Sequence, residues 1–462
     1  MYTSYIGHRF LTLWNERTGR DLSARQFFDE EMFPLFYNSE KYLQWIASSA
    51  FTQDVDKEEK LRVRSGESPF LIKLAKFHSK IESGIPPDGS FVIGFPAAGT
   101  TGTTSGQVSN VMPPVTLEDV YCSWIGGALG IGVGSGYSVL IDEDDVLWAL
   151  YEGWAQYRAH LAQRDTLRAN QIDTWNGIWL THALGDYYNP HRPAANFHLD
   201  TFLDTKDGVS GIRTQSWVKI LFVLAGKYKR RLMAYAYCLS KQNKTIGFVP
   251  LELGQVEDMY QLSQRLFQLS PDIRDWQKVT DLYETHYGFA RACQLGSIGL
   301  AAIEPAKRQD YLPGNDKKIN LKTDNDRLQF DIYQLWILAM LNNQELYNAA
   351  DRLAATLHDF AHRDDHRDTG RGKKNLDRQV ENVFVKSRPA FIDRLADMLA
   401  EAGSSAGLFR DTFDEAVRQV MLMPVDNFPL FIILVRFRYI ARQSGDASAP
   451  AQLPVQQTLF NA

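Results

Sequence analysis

Trp124-Ile-Gly-Gly-Ala-Leu-Gly-Ile-Gly-Val-Gly-Ser-Gly-Tyr137 runs directly into Ser138-Val-Leu-Ile141. Gly130, Gly132, Gly134 and Gly136 fall on every second residue, which in an extended chain places all four on one face. A strand face of glycines contributes no packing and costs backbone entropy, so it is kept where another backbone, a ligand or a nucleic acid approaches closely. The spacing therefore predicts a docking surface or a buried strand crossing another element. A dinucleotide fingerprint is excluded, because it needs strand, then glycines, then helix. Here the glycines precede a strand, and they contain no Gly-Lys-Ser or Gly-Lys-Thr for a phosphate loop.

Downstream of the ladder, Asp142-Glu-Asp-Asp145 has the composition of a metal site. Val146, Leu147, Leu150, Trp154, Tyr157 and Leu161 follow at helical spacing, so the carboxylates are expected to cap that helix and complement its dipole. Trp154 and Tyr157 should then pack on the neighbouring sheet. Upstream lies a loop of small, hydroxylated and glycine residues over 96–110. Its Gln107, Ser109 and Asn110 are neutral hydrogen-bonding groups suited to sugar, phosphate or base edges. Further upstream, 90–95 reads as a strand after the turn Pro86-Pro-Asp-Gly89, 69–77 as a helical stripe, 54–67 as a solvated connection and 41–45 as a short amphipathic helix.

Beyond the helix, Trp175, Trp179, Tyr187, Tyr188, His182, His191 and His198 are interrupted by Pro190 and Pro193. That irregular spacing fits half-buried aromatic packing better than a preformed zinc site. From 227 to 244 the charge changes sign: Lys227, Lys229, Arg230, Arg231, Lys241 and Lys244 occur with no acidic residue between them. Residues 230–239 and 245–249 read as two strands joined by Ser240-Lys-Gln-Asn-Lys244. The tip combines lysines for phosphate attraction with Gln242 and Asn243, whose paired donors and acceptors can read a base edge.

The pattern divides the chain into an α+β arrangement: an N-terminal mixed α/β domain over 1–318, a C-terminal helical bundle over 319–443 and a disordered tail over 444–462. The first boundary is placed at the polar break Pro313-Gly-Asn-Asp-Lys-Lys318. Ile332, Leu335, Trp336, Leu353, Leu357, Phe391, Leu395, Phe413 and Val417 mark helical stripes beyond it.

With 462 residues and a net charge of -5, the chain can bury a sizeable core and has no global attraction to polyanions. Cys122, Cys238 and Cys293 are too scattered for a disulfide framework or a cysteine zinc site. The absence of a long apolar run and of a signal-like start predicts a cytoplasmic protein with no membrane association. The strongest enzymatic signal is His358-Asp-Phe-Ala-His362-Arg-Asp-Asp-His366. Histidines four apart share a helix face, so a metal-dependent hydrolase is one alternative and a protein-binding helical scaffold another. The run passes into a glycine-rich, hydrated stretch, which a closed metal pocket disfavours. Arg371, Lys373 and Lys374 fit phosphate contacts better.

Four local runs carry a resemblance: Phe33-Pro-Leu-Phe-Tyr-Asn-Ser-Glu-Lys-Tyr-Leu-Gln-Trp45, Thr104-Ser-Gly-Gln-Val-Ser109, residues 124–158, and Met423-Pro-Val-Asp-Asn-Phe-Pro-Leu-Phe431. Together with the order of domains, they make the chain resemble a large subunit of a type I CRISPR surveillance (Cascade) complex, in the compact type I-A/I-B-like group. The resemblance implies a non-catalytic, cofactor-free antiviral defence subunit. Its implied partners are guide RNA, target double-stranded DNA and its displaced strand, the other surveillance-complex subunits and a helicase-nuclease. On this reading Gln107, Ser109, Asn110 and the tip Lys241, Gln242, Asn243 and Lys244 read the target-adjacent motif. Lys227, Lys229, Arg230, Arg231, Arg371, Lys373 and Lys374 contact phosphates, and base pairing supplies most specificity.

Overall fold

The computed structural model describes residues 1–95, 114–185, 187–238, 245–266, 283, 285–306, 323–362 and 370–443. The fold is α+β, mostly helical, with a small antiparallel sheet and a helical C-terminal region. By compactness the chain forms two units, one of residues 1–253 with 289–298, the other of 254–288 with 299–462. The boundary expected at Pro313–Lys318 lies outside the described residues, as do 96–113, 239–244 and the tail.

In the first unit, α1 (Tyr2–Thr18) ends at Gly19 in the left-handed conformation. A capping box at Ser23 opens α2 (Ala24–Phe27), which continues through a π-helical turn (Phe28–Met32) into α3 (Phe33–Phe36). The expected helix at 41–45 does not form; Lys41–Trp45 is irregular. Its backbone is held instead by long-range bonds, Asn170 N to Tyr42 O at 2.8 Å and Ile172 N to Leu43 O at 3.2 Å. The connection expected over 54–67 contains α4 (Lys57–Arg64), capped by a box between Asp56 and Glu59. Local capping there offsets the lack of an apolar stripe. The stripe at 69–77 belongs to α5 (Pro69–Glu82), with proline in its first turn.

Residues 91–95 form a turn, not the predicted strand, with Gly94 at φ 78° and Phe91, Val92 and Ile93 buried. The apolar run is used to fill the core beneath α6 (Leu117–Ala128): the Trp124 indole donates to Phe91 O at 2.9 Å, and Ile93 N donates to Ser123 Oγ at 3.0 Å. Helix α6 crosses α1 backbone to backbone through Gly7 and Gly126.

The glycine ladder becomes a hairpin of β1 (Ile131–Gly134) and β2 (Tyr137–Ile141). Ser135 and Gly136 both have positive φ, 53° and 77°, as a two-residue type I′ turn requires. Gly134, at φ 102°, sits where the register shifts. The four glycines therefore do not share one strand face. β2 pairs with β5 (Leu232–Cys238), and β5 with β6 (Thr245–Leu251), giving the antiparallel order β1-β2-β5-β6. The two strands predicted around 230–249 are β5 and β6.

Between these hairpins lie α7 (Asp144–Gln163), α8 (Ile172–Ala183), the small hairpin of β3 (Leu203–Lys206) with β4 (Val209–Ile212), and α9 (Trp217–Lys227). Glu143, at the N-cap of α7, makes no side-chain capping bond, contrary to the expected cap. The acidic cluster is used in ion pairs: Asp142 and Asp144 with Arg9, Asp145 with Arg17 and Glu143 with Arg230. Asp144 and Asp145 still lie in the first turn, where they complement the dipole.

Trp154 and Tyr157 pack on helices and their connections, not on the sheet. Trp154 meets Phe36 edge-on at 4.9 Å, and Tyr157 stacks on Trp175 at 5.0 Å. Trp175 in turn stacks on Trp179, with His182 against Trp179 and its Nε2 at 2.8 Å from Pro193 O, which bears out the aromatic-packing reading for His182. The three cysteines are buried, and burial pushes the Cys122 and Cys293 thiols up.

α10 (Leu253–Leu266) begins at the first unit's edge, and α11 (Phe289–Cys293) returns to that unit. The second unit contains α12 (Asp324–Leu341), α13 (Gln344–Ala361), α14 (Gly370–Glu381), α15 (Arg388–Ala402), α16 (Gly407–Leu422) and α17 (Phe428–Gln443). α17 is buried almost all round from Phe428 to Tyr439. Its Arg438 is nearly inaccessible and pairs with Asp351 at 2.7 Å, so a buried charge is matched within the unit.

Candidate functional site

The glycine hairpin, the irregular 42–46 segment and the start of α8 enclose a cleft of about 270 Å³ in the first unit. Gly132, Gly134 and Gly136 form its floor, Gln44, Trp45 and Ile46 one wall, and 170–174 the other. Tyr42 O and Leu43 O hold the two walls together through the bonds to Asn170 and Ile172. The Tyr37 hydroxyl orients Gln44 by donating to its Oε1 at 3.1 Å, leaving the Gln44 NH2 without a partner among the described residues. Gln171 is committed elsewhere: its side chain bonds both the N–H and the C=O of Ile212.

Each ladder glycine has a separate physical reason. A Cβ on Gly132 would stand 3.1 Å from the Asp173 carbonyl and 3.2 Å from Thr174 N, so the backbone that approaches there is the chain's own α8. A Cβ on Gly130 would overlap the Ser138 hydroxyl and stand 3.1 Å from the Tyr237 hydroxyl. At Gly134 the space is open, with nothing within 4 Å among the described residues. α8 also holds the connection between α6 and β1, the Asn176 amide donating to Ala128 O and Gly130 O at 2.8 Å each.

Behind the floor, Ser138 and Tyr237 are cross-strand partners whose buried hydroxyls lie beside each other, Ser138 also facing the Asp173 carboxyl, while Asn176 Oδ1 is buried without a hydrogen bond among the described residues. Asp173 links this cluster to the cleft. Burial pushes its carboxyl up to about 7, with the nearby Ser138 hydroxyl opposing the rise. The folded chain thus holds a proton that the unfolded chain releases above 3.8, and stability falls as pH rises from there to about 7. Asp173→Asn, which has no proton to lose, is expected to flatten that decline in urea midpoints measured across the interval. Parallel curves for the two proteins would contradict it.

The residues predicted from the sequence are dispersed. Lys227 ends α9, and Lys229, Arg230 and Arg231 lead into β5; all four are exposed. Arg230 pairs with Glu143, and Arg231 with Glu252 at 2.8 Å, yet each arginine side chain retains 64% exposure. Gln107, Ser109, Asn110, Lys241, Gln242, Asn243 and Lys244 lie outside the described residues. Arg371, Lys373 and Lys374 fall at the start of α14, so the hydrated stretch expected there is partly helical.

His358 and His362 stack at 4.2 Å, and His362 Nδ1 donates to His358 O at 2.8 Å, within their own helix; His366 lies outside the described residues. Among the described residues no three His, Cys, Asp or Glu side chains are grouped to hold a metal, and no helix is long and apolar enough to cross a membrane.

The sequence reading missed Gln44, Trp45, Asn170, Asp173 and Thr214. No local motif marks them, because contacts between segments far apart in sequence assemble the cleft. Comparison of the chain with protein-family models, curated proteins and solved structures finds no match.

Proposed function

We propose that this protein is a non-catalytic, nucleic-acid-binding large subunit of a CRISPR RNA-guided surveillance complex. In that role it contacts guide RNA, recognises the target-adjacent motif in duplex DNA, holds the displaced strand and helps recruit a helicase-nuclease. The observation that carries the reading is the exposed cationic stretch Lys227, Lys229, Arg230 and Arg231 at the head of β5. Arg230 and Arg231 are ion-paired, but exposed pairs contribute only about 0–1 kcal/mol, so a phosphate can exchange for the carboxylate at little cost. The four sequence runs that resemble the Cascade group and the α+β order with a helical C-terminal region support the same reading.

Coexpression with the products of adjacent genes is expected to yield a complex containing a discrete RNA. Duplex DNA should bind with strong salt dependence. For each phosphate that Lys227→Ala or Lys229→Ala leaves without its cation, the slope of log affinity against log salt should shrink by about 1. Absence of nucleic acid at low salt, in the chain and in the complex, would overturn the proposal.

A further inference from the structure

We propose that the cleft between Trp45 and the glycine hairpin receives one unpaired nucleobase, stacked on Trp45 and hydrogen-bonded along its edge by Gln44 and the first turn of α8. This rests on the nucleic-acid reading above and names the group that a single strand would insert.

Trp45 is the first reason. Trp124, Trp154, Trp175 and Trp179 are fully buried, whereas Trp45 keeps 52% exposure at the cleft wall. Tyr42 packs beside it at 6.3 Å between ring centroids, and Tyr42 is itself fixed by Lys73, whose Nζ donates to its hydroxyl at 3.2 Å. An anchored, half-exposed indole offers an apolar face to any base, since every base has a π-face.

The polar groups are the second reason. Among the described residues no lysine or arginine lines the cleft, which disfavours a phosphate as its occupant. What lines it is neutral and mixed in sense: the Gln44 NH2 donates, and the Thr174 and Thr214 hydroxyls donate or accept. The N-cap of α8 makes no side-chain bond, so the Asp173 and Thr174 amides, on two residues that line the cleft, have no acceptor among the described residues. Behind the cleft, Asn176 Oδ1 is buried with no hydrogen-bond partner among the described residues.

The floor and the size are the third. The open space over Gly134 lets a flat ring reach the peptide planes of the turn. A volume of about 270 Å³ lies at the small end of ligand sites, suited to one ring system and its sugar.

The test uses the full-length chain and short single-stranded RNAs carrying 2-aminopurine at each position in turn. At one position the emission should fall on binding, and Trp45→Ala should abolish that change while lowering affinity about tenfold, the scale of a single base–aromatic stack. The salt slope should stay the same, because every phosphate keeps its cation. Trp45→Phe should restore most of the affinity, and unchanged urea midpoints would show that both variants fold. Binding with undiminished affinity and emission change in Trp45→Ala would overturn the base cleft while leaving the nucleic-acid reading standing. Failure of every RNA to bind at low salt would overturn both.

Discussion

Trp124→Ala is expected to destabilise the first unit by about 3–5 kcal/mol, the range for deleting a fully buried tryptophan. Trp124 has no exposure and lies edge-on or tilted to Phe77 at 4.8 Å, Tyr37 at 5.6 Å, Phe51 at 5.7 Å and Phe28 at 6.0 Å. Those four rings arrive from separate elements and cannot collapse into the void together, because each is held by other partners. Tyr37 is stacked on Phe51 at 4.1 Å, and Phe28 on Phe77 at 5.1 Å. The indole also satisfies Phe91 O, so truncation leaves a buried carbonyl short of a donor. Trp124→Phe separates the two effects: it refills most of the volume and loses the bond, costing about 1–3 kcal/mol. Amide hydrogen exchange in α1 and α6 reads both changes, and protection unaltered in Trp124→Ala would refute the role given to this ring.

Gly126→Leu is expected to cost about 3 kcal/mol, the upper end of overpacking, because the obstacle is backbone and not a side chain that can turn away. A Cβ at Gly126 would overlap the Thr3 carbonyl, and one at Gly7 would overlap the Cys122 carbonyl. The two glycines are reciprocal, each letting the opposite helix approach. The approach is locked by side-chain bonds on both sides: the Ser4 hydroxyl donates to Asp119 O at 2.8 Å and the Thr3 hydroxyl to Ile93 O at 2.5 Å. Gly126→Ala tests the same crossing with the smallest possible addition. Urea midpoints falling in the order native, alanine, leucine are expected; an alanine variant as stable as the native chain would show that α1 and α6 can separate freely.

Elements with strong local signals were legible. The stripe from Val146 to Leu161 forms α7, the 69–77 stripe forms α5, and the runs flanking 240–244 form β5 and β6. The failures share a cause. Residues 41–45 and 90–95 carry apolar side chains in patterns that suit a helix and a strand, yet both are irregular, because their backbone groups find partners on distant segments and their side chains fill a shared core. The carboxylates at 142–145 have the position of a cap, but the arginines of α1, more than 120 residues earlier in the chain, take Asp142, Asp144 and Asp145 as ion-pair partners, and Arg230 takes Glu143.

The glycine ladder divides the two kinds of information. Its period, its place before Val139, Leu140 and Ile141, and its failure as a phosphate loop are properties of the sequence alone, as are the α+β order and the sign change at Lys227. The turn at Ser135 and Gly136, the packing of α8 over Gly132 and the cleft with Trp45 exist only in the tertiary structure. The reason is physical: a glycine records that something approaches closely or that φ is positive, but it carries no side chain to say which. Here the chain's own helix fills one position, two hydroxyls another, a turn takes a third, and the space over Gly134 stays open.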